Sequence, residues 1–243
     1  MMPKEAKRSV TSPLLLGGAL TLSLVVAVVI GLNMEGESSG NGSPETPTAD
    51  HLDEEQRAWG QSLARRTADD PMALGDEDAP VVLVAYSDFA CPFCASWAQE
   101  TQPELIERYV GTGDLRIEWR EFPYLGDQSR TLSVGALAAA EQDAFWPYQE
   151  AVFDSQDDLK SASQPHEVLG AIADDIGLDV ERFETDLGDE ELAQEVDEGF
   201  LEGQQTGVSG TPAFIINGDP VMGAQPLDVF VESIDSALAS AGG

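Results

Sequence analysis

The chain has 243 residues, 42% of them hydrophobic, so it can bury a sizeable core and is not disordered as a whole. It carries 45 Asp and Glu against 12 Lys and Arg, a formal net charge of -33, which excludes the basic face a nucleic-acid binder needs. Two cysteines, Cys91 and Cys94, are too few for a disulfide-stapled scaffold.

Residues 9–34 carry no charge, and residues 14–32 are mostly Leu, Val, Ala and Gly. A run of about 20 apolar residues, at about 1.5 Å each, spans a bilayer core. Lys4, Lys7 and Arg8 precede the run, and Glu35 and Glu37 follow it, which orients the rest of the chain away from the cytoplasm. The expectation is a cytoplasmic segment at 1–13 and one N-terminal transmembrane helix at 14–34. That makes a single-pass protein of the cell membrane with its folded domain on the extracytoplasmic side. A cleaved signal peptide is the alternative; its apolar region runs about 7 to 15 residues before a small-residue site. Gly31-Leu32-Asn33-Met34 is a poor site of that kind.

Residues 35–69 read as an acidic linker rich in Gly, Ser and Pro, with room for a short helix over 51–67. The folded domain is expected over 70–243. Residues 81–86 are apolar and β-branched and predict a buried strand between Pro80 and Ser87-Asp88. Cys91-Pro92-Phe93-Cys94 follows, then a helix over 95–110 that Pro103 kinks or restarts. Residues 115–122 predict a second strand, with Ile117 and Trp119 alternating against Arg116, Glu118 and Arg120.

A helical block comes next. An Ala-rich helix is expected over 129–144, and the aromatic cluster beyond it, Phe145, Trp146 and Tyr148 among it, reads as core. Helices over 165–176 and 180–187 flank Gly177, and a longer acidic helix covers 190–205. Strands at 213–216 and 221–222 are joined by Asn217-Gly218-Asp219, a hairpin signal. A helix over 226–239 closes the chain, its apolar residues at the 3.6 period after Pro226. This order fits an α/β fold: a small mixed sheet flanked by helices, with an inserted helical subdomain.

The cysteine pair follows a strand and opens a helix. Cys91 then sits at the helix start, where unpaired N–H groups and the dipole stabilise a thiolate. Pro92 suits the first turn because its missing N–H would have gone unpaired. Cys94 lies one turn on, close enough to close a small ring. Two inert cysteines or half a zinc site are the alternatives. Structural zinc takes four Cys or His ligands, and His51 and His166 lie far from the pair in sequence. Neither a metal nor a cofactor is expected.

Residues 87–94, Ser-Asp-Phe-Ala-Cys-Pro-Phe-Cys, with Trp97 beyond, resemble the active-site segment of the DsbA-like thiol–disulfide oxidoreductases of the thioredoxin superfamily. Residues 210–218 resemble that family's cis-proline loop and its strand. Residues 122–126, 139–141 with Phe145-Trp146, and 223–226 match in the same order. The resemblance covers about 70–239 and implies a thioredoxin-like fold with the helical insertion at about 124–200. It implies Cys91 as the attacking and attacked sulfur and Cys94 as the resolving thiol. Pro92, Phe93, Thr211 and Pro212 would shape the site, with a cis peptide before Pro212. Strong oxidants of the family have His between the cysteines; this chain has Pro92-Phe93, which removes one source of thiolate stabilisation. Asp88 is a further candidate for tuning the thiolate.

The implied activity is the introduction of disulfides into exported proteins with free or mispaired cysteines. A quinone-linked membrane redox partner would reoxidise the pair. Reduction or isomerisation fed by a membrane electron carrier is the alternative, and a non-redox holdase or scaffold a further one. Lys160 is the one lysine beyond the apolar segment, so the acid excess reads as a hydrated surface suited to salt.

Overall fold

The computed structural model describes residues 49–241. The expected anchor at 14–34, the segment at 1–13 and most of the acidic linker lie outside the described residues. Among the described residues no helix is long and apolar enough to cross a membrane.

A five-stranded mixed sheet organises the domain, in the order β1-β3-β2-β4-β5. The strands are β1 (Ala73–Leu74), β2 (Val81–Ser87), β3 (Leu115–Glu121), β4 (Ala213–Ile216) and β5 (Asp219–Met222). β2 and β3 are parallel, Val81 beside Leu115 and Ser87 beside Glu121; the other pairings are antiparallel. α1 (Ala49–Gln61) precedes the sheet and meets the β4–β5 turn, where Gly60 lies against the backbone of Gly218. β1 is a two-residue edge strand with no apolar period, and the sequence gives no sign of it.

The crossover from β2 to β3 is one helical run over 92–110. It consists of α2 (Pro92–Ser96), a π-helical turn, α3 (Gln102–Leu105) and a second π-helical turn. Pro103 falls in the first turn of α3, where its missing N–H costs least, so it restarts the helix without ending the run. Trp97 and Leu105 from this run meet Leu83 and Phe214 of the sheet and Phe230 and Ile234 of α10 (Leu227–Ala241). This is the core on one face of the sheet.

The helical insertion is α4 (Asp127–Ala140), α5 (Phe145–Asp154), α6 (Gln156–Ser161), α7 (Pro165–Asp175), α8 (Val180–Asp186) and α9 (Glu190–Gln205). α6 is a separate helix that the sequence reading did not resolve. The carboxylates of Asp179 and Asp189 accept from N–H groups in the first turns of α8 and α9, which sets those starts. The aromatic residues expected in the core are there: Phe145, Tyr148 and Phe153 surround Phe89 and Trp119. α9 lies close over the end of β3 because Gly203 has no Cβ to meet the Phe122 ring.

The alternation in β3 does not give one dry and one wet face. Arg116, Glu118 and Arg120 are buried as deeply as Ile117 and Trp119. Residues 62–67, within the stretch read as linker, cross above them. The backbone N–H groups of Arg65 and Arg66 donate to Glu118 at 2.9 and 2.8 Å, and Arg116 and Arg120 donate to it at 3.0 and 2.7 Å.

Candidate active site

Cys91 and Cys94 lie where β2 hands the chain to the crossover helix. Cys91 is the N-cap of α2, in extended conformation, with Pro92 in the first turn. Its N–H donates to Asp88 O at 3.0 Å, closing the turn that carries the chain out of the strand. The backbone N–H groups of Cys94 and Ala95 donate to Cys91 O at 3.1 and 3.2 Å. Both cysteines are free thiols. Cys91 is 4% exposed against 0% for Cys94, while Phe93 between them stands 66% exposed. The projecting group is therefore the phenyl ring, with the sulfur beneath the surface.

The second half of the site comes from far along the chain. The Thr211–Pro212 peptide is cis, as the resemblance implies. Thr211 O accepts from Cys91 Sγ at 3.5 Å. Pro212 is buried and opens β4, which pairs with β2 directly beside the redox loop. Cys91, Cys94, Pro92, Phe93, Thr211 and Pro212 thus come together.

The two sulfurs have opposite electrostatics. A hydrogen bond from the Cys94 thiol lowers the Cys91 pKa most. Burial opposes it, and Thr211 and the backbone N–H groups of Cys94 and Phe93 add to the lowering, for a value of about 6. Cys94 is pushed far above the ordinary thiol range, first by burial and then by the bond it gives to Cys91. The buried Ser87 hydroxyl and the N–H of Asp88, 3.5 Å from Cys94 Sγ, act in the other direction.

Asp88 is fully buried, and its carboxylate faces the loops. Oδ1 accepts from Ala90 N at 2.7 Å and Oδ2 from Leu125 N at 2.8 Å. What Asp88 turns toward the sulfurs is its backbone N–H. Its carboxylate ties the redox loop to the 123–126 loop, where Tyr124 and Leu125 are exposed apolar groups. Gln156, on α6, donates to the carbonyls of Phe89 and Cys91. Ser87 and Leu125 lie in segments that carry the resemblance but were given no role there; Gln156 was missed, 65 residues from Cys91 with no local pattern linking the two.

Glu121 sits across from Ser87 in the β2–β3 register and is buried. It accepts from Trp119 Nε1 at 2.8 Å and from the Ser133 hydroxyl. Burial lifts its pKa from 4.5 to about 8, although those two donors oppose the rise. The folded state therefore holds a proton between about pH 4.5 and 8 that the unfolded state has lost, so stability falls as pH rises through this window. At about 1.4 kcal/mol per pH unit the loss reaches a few kcal/mol by pH 8. Glu121→Gln is expected to flatten this part of the profile, measured by urea unfolding of the full chain from pH 5 to 9. An unchanged slope in the variant would remove Glu121 as its source.

The thioredoxin family model matches residues 67–236. Over 173 residues the chain is 30% identical to the probable disulfide bond formation protein D of Bacillus anthracis, covering 68% of this chain and 77% of that protein. It is 34% identical over 173 residues to Na(+)/H(+) antiporter NhaA 3 of Salinispora tropica, covering 69% of this chain but only 24% of the antiporter. Among solved structures, Wolbachia pipientis alpha-DsbA1 superposes with a TM-score of 0.67 at 22% identity, covering 75% of this chain and 97% of that one. Oxidised BdbD from Bacillus subtilis superposes with a TM-score of 0.65 at 23% identity, covering 69% and 92%. Those two likenesses carry the fold, and the family match and the Bacillus protein carry the kinship. The chain belongs to the thioredoxin superfamily, in its DsbA-like branch.

Proposed function

We propose that this protein is a thiol–disulfide oxidoreductase that works outside the cytoplasm and donates disulfides to exported proteins. The observation that carries the reading is the asymmetry of the pair: a Cys91 thiol lowered to about 6 beside a fully buried Cys94 held far above the ordinary range. A pair so divided has one sulfur that attacks and leaves easily and one that waits. The printed name of the Bacillus relative, a disulfide bond formation protein, supports the same chemistry.

In the oxidising direction, a client thiolate attacks Sγ of Cys91 in the Cys91–Cys94 disulfide. The S–S bond breaks, and Cys94 leaves and takes up a proton. A second client thiolate then attacks the client sulfur of the mixed disulfide, and Cys91 leaves as its stabilised thiolate. Two electrons pass from client to enzyme, and the client gains one disulfide. Thr211 O, beside the Cys91 sulfur, offers an acceptor to an extended client backbone as it docks. The exposed Phe93, Tyr124 and Leu125 offer it apolar contact. A quinone-linked membrane redox partner returns the pair to the disulfide. Oxidised full chain mixed with a reduced two-cysteine peptide is expected to yield one peptide disulfide per enzyme disulfide. No transfer would overturn the reading.

The location rests on the apolar run at 14–32 and its basic flank. Protease added to intact cells is expected to digest the folded domain and leave a short membrane-bound fragment. A protected domain would contradict this topology.

A further inference from the structure

The helical insertion reaches the redox loop through one polar side chain. Gln156 Nε2 donates to Phe89 O at 2.7 Å and to Cys91 O at 3.0 Å. A primary amide nitrogen carries two N–H groups, so both are committed to the carbonyls that flank Ala90. Among the described residues no other group donates to Phe89 O. The Phe89 ring, meanwhile, is locked among Trp119, Phe145, Tyr148 and Phe153, its centroid 5.1 to 6.5 Å from theirs. The loop is therefore fixed twice to the insertion: its side chain by aromatic packing, and its backbone by Gln156.

Resting on the thiol–disulfide reading of this site, we propose that Gln156 is a positioning residue for Cys91, holding the Phe89 carbonyl in the orientation that favours the Cys91 thiolate. A carbonyl oxygen carries partial negative charge. Released from its donor and free to turn toward the sulfur, it disfavours an anion there. Held by Gln156, the Phe89 carbonyl points at the insertion; Cys91 O keeps the N–H groups of Cys94 and Ala95, at 3.1 and 3.2 Å, whether or not the amide is present. The backbone N–H groups of Phe93 and Cys94 then remain the ones facing Cys91 Sγ. The aromatic lock keeps the loop folded when Gln156 is changed, so the amide acts on reactivity more than on folding.

The test is the pH profile of iodoacetamide alkylation at Cys91 in the reduced full chain, located by peptide mapping. Gln156→Met keeps length and volume and removes the donors; Gln156→Ala removes both. Gln156→Glu places an ionised acceptor against two carbonyls. The Met and Ala variants are expected to move the midpoint upward by about half to one pH unit, slowing alkylation near pH 5.5 by about three- to tenfold. The Glu variant moves it further, and all three melt within a few degrees of the wild type. A Met variant with the wild-type midpoint would overturn the proposal, whether or not its melting temperature falls. So would a shift in Ala that Met does not share, which would assign the effect to packing. If the wild-type chain itself alkylated with an ordinary thiol midpoint near about 8.5, the redox reading beneath the proposal would fail instead.

Discussion

Cys91→Ala is expected to reduce disulfide transfer to background, and Cys94→Ala to turn the chain into a trap that accumulates mixed disulfides through Cys91. The two outcomes differ because the sulfurs do. Cys91 lies against Thr211 O and carries the lowered pKa, so it is the sulfur a client can reach and the better leaving group. Cys94 is fully buried, packed in the core with the Ser87 hydroxyl and the Asp88 N–H against its sulfur, so no client is expected to reach it directly. Without Cys94 a mixed disulfide at Cys91 has no internal thiol to release it. The Cys94 thiol is also the main donor to Cys91, so its loss raises the Cys91 pKa and slows trapping at acid pH. Non-reducing gels with mass spectrometry of the adducts measure both effects. Adducts through Cys94 in the Cys91→Ala chain would reverse the assignment.

The second large effect lies away from the sulfurs, in β3. Glu118→Gln is expected to destabilise the domain by about 3 to 5 kcal/mol, because it leaves the buried Arg116 and Arg120 guanidinium groups without their shared counter-charge. Glu118 accepts four hydrogen bonds, two from side chains and two from the backbone of the segment that covers it. Burial alone would raise its pKa, but the Arg65 and Arg66 N–H groups and Arg120 outweigh that and hold it below 4.5. A depressed carboxyl contributes stability that is present above its unfolded pKa and lost as pH falls through its folded one. Acid unfolding of the wild type therefore draws on Glu118, while the loss of stability between about pH 4.5 and 8 draws on Glu121. The melting temperature of the Glu118→Gln chain is expected to drop by roughly 10 °C or more, with Cys91 reactivity unchanged. A drop of a degree or two would mean that 62–67 does not seal the network from water.

Much of this architecture was legible in the sequence because local rules and tertiary packing agree. The helix over Glu190–Gln205 and the strand over Ala213–Ile216 coincide with the expected spans. The first has its start fixed by a capping Asp189, and the second has its end fixed by a hairpin turn. The four residues of the cysteine motif and Thr211-Pro212 were named from sequence, and the fold brings them together. β1 was not legible because two residues carry no period; only the partner strand gives them a conformation. The buried polar face of β3 was not legible because its cover, residues 62–67, is separated from it by about 50 residues and has no apolar pattern. Asp88 was chosen for its charge near the cysteines. Its orientation depends on Leu125 N, 37 residues away, and turns the carboxylate to the loop instead. Gln156 belongs to the same class: a single polar residue on a short helix gives no sign of the backbone it will hold.

The proposed direction of electron flow is from client thiols to the Cys91–Cys94 disulfide. A thiolate stabilised in the reduced enzyme makes the disulfide the better oxidant, and Cys91 has that stabilisation even with Phe93 in place of a histidine. Equilibration of the full chain with glutathione buffers, paired with alkylation trapping of its state in cells, measures this directly. The expected reduction potential lies well above the thioredoxin value of about -270 mV, with the pair held oxidised in cells. A potential at or below that value, with the pair held reduced in cells, would contradict it and assign the protein to the reductive direction.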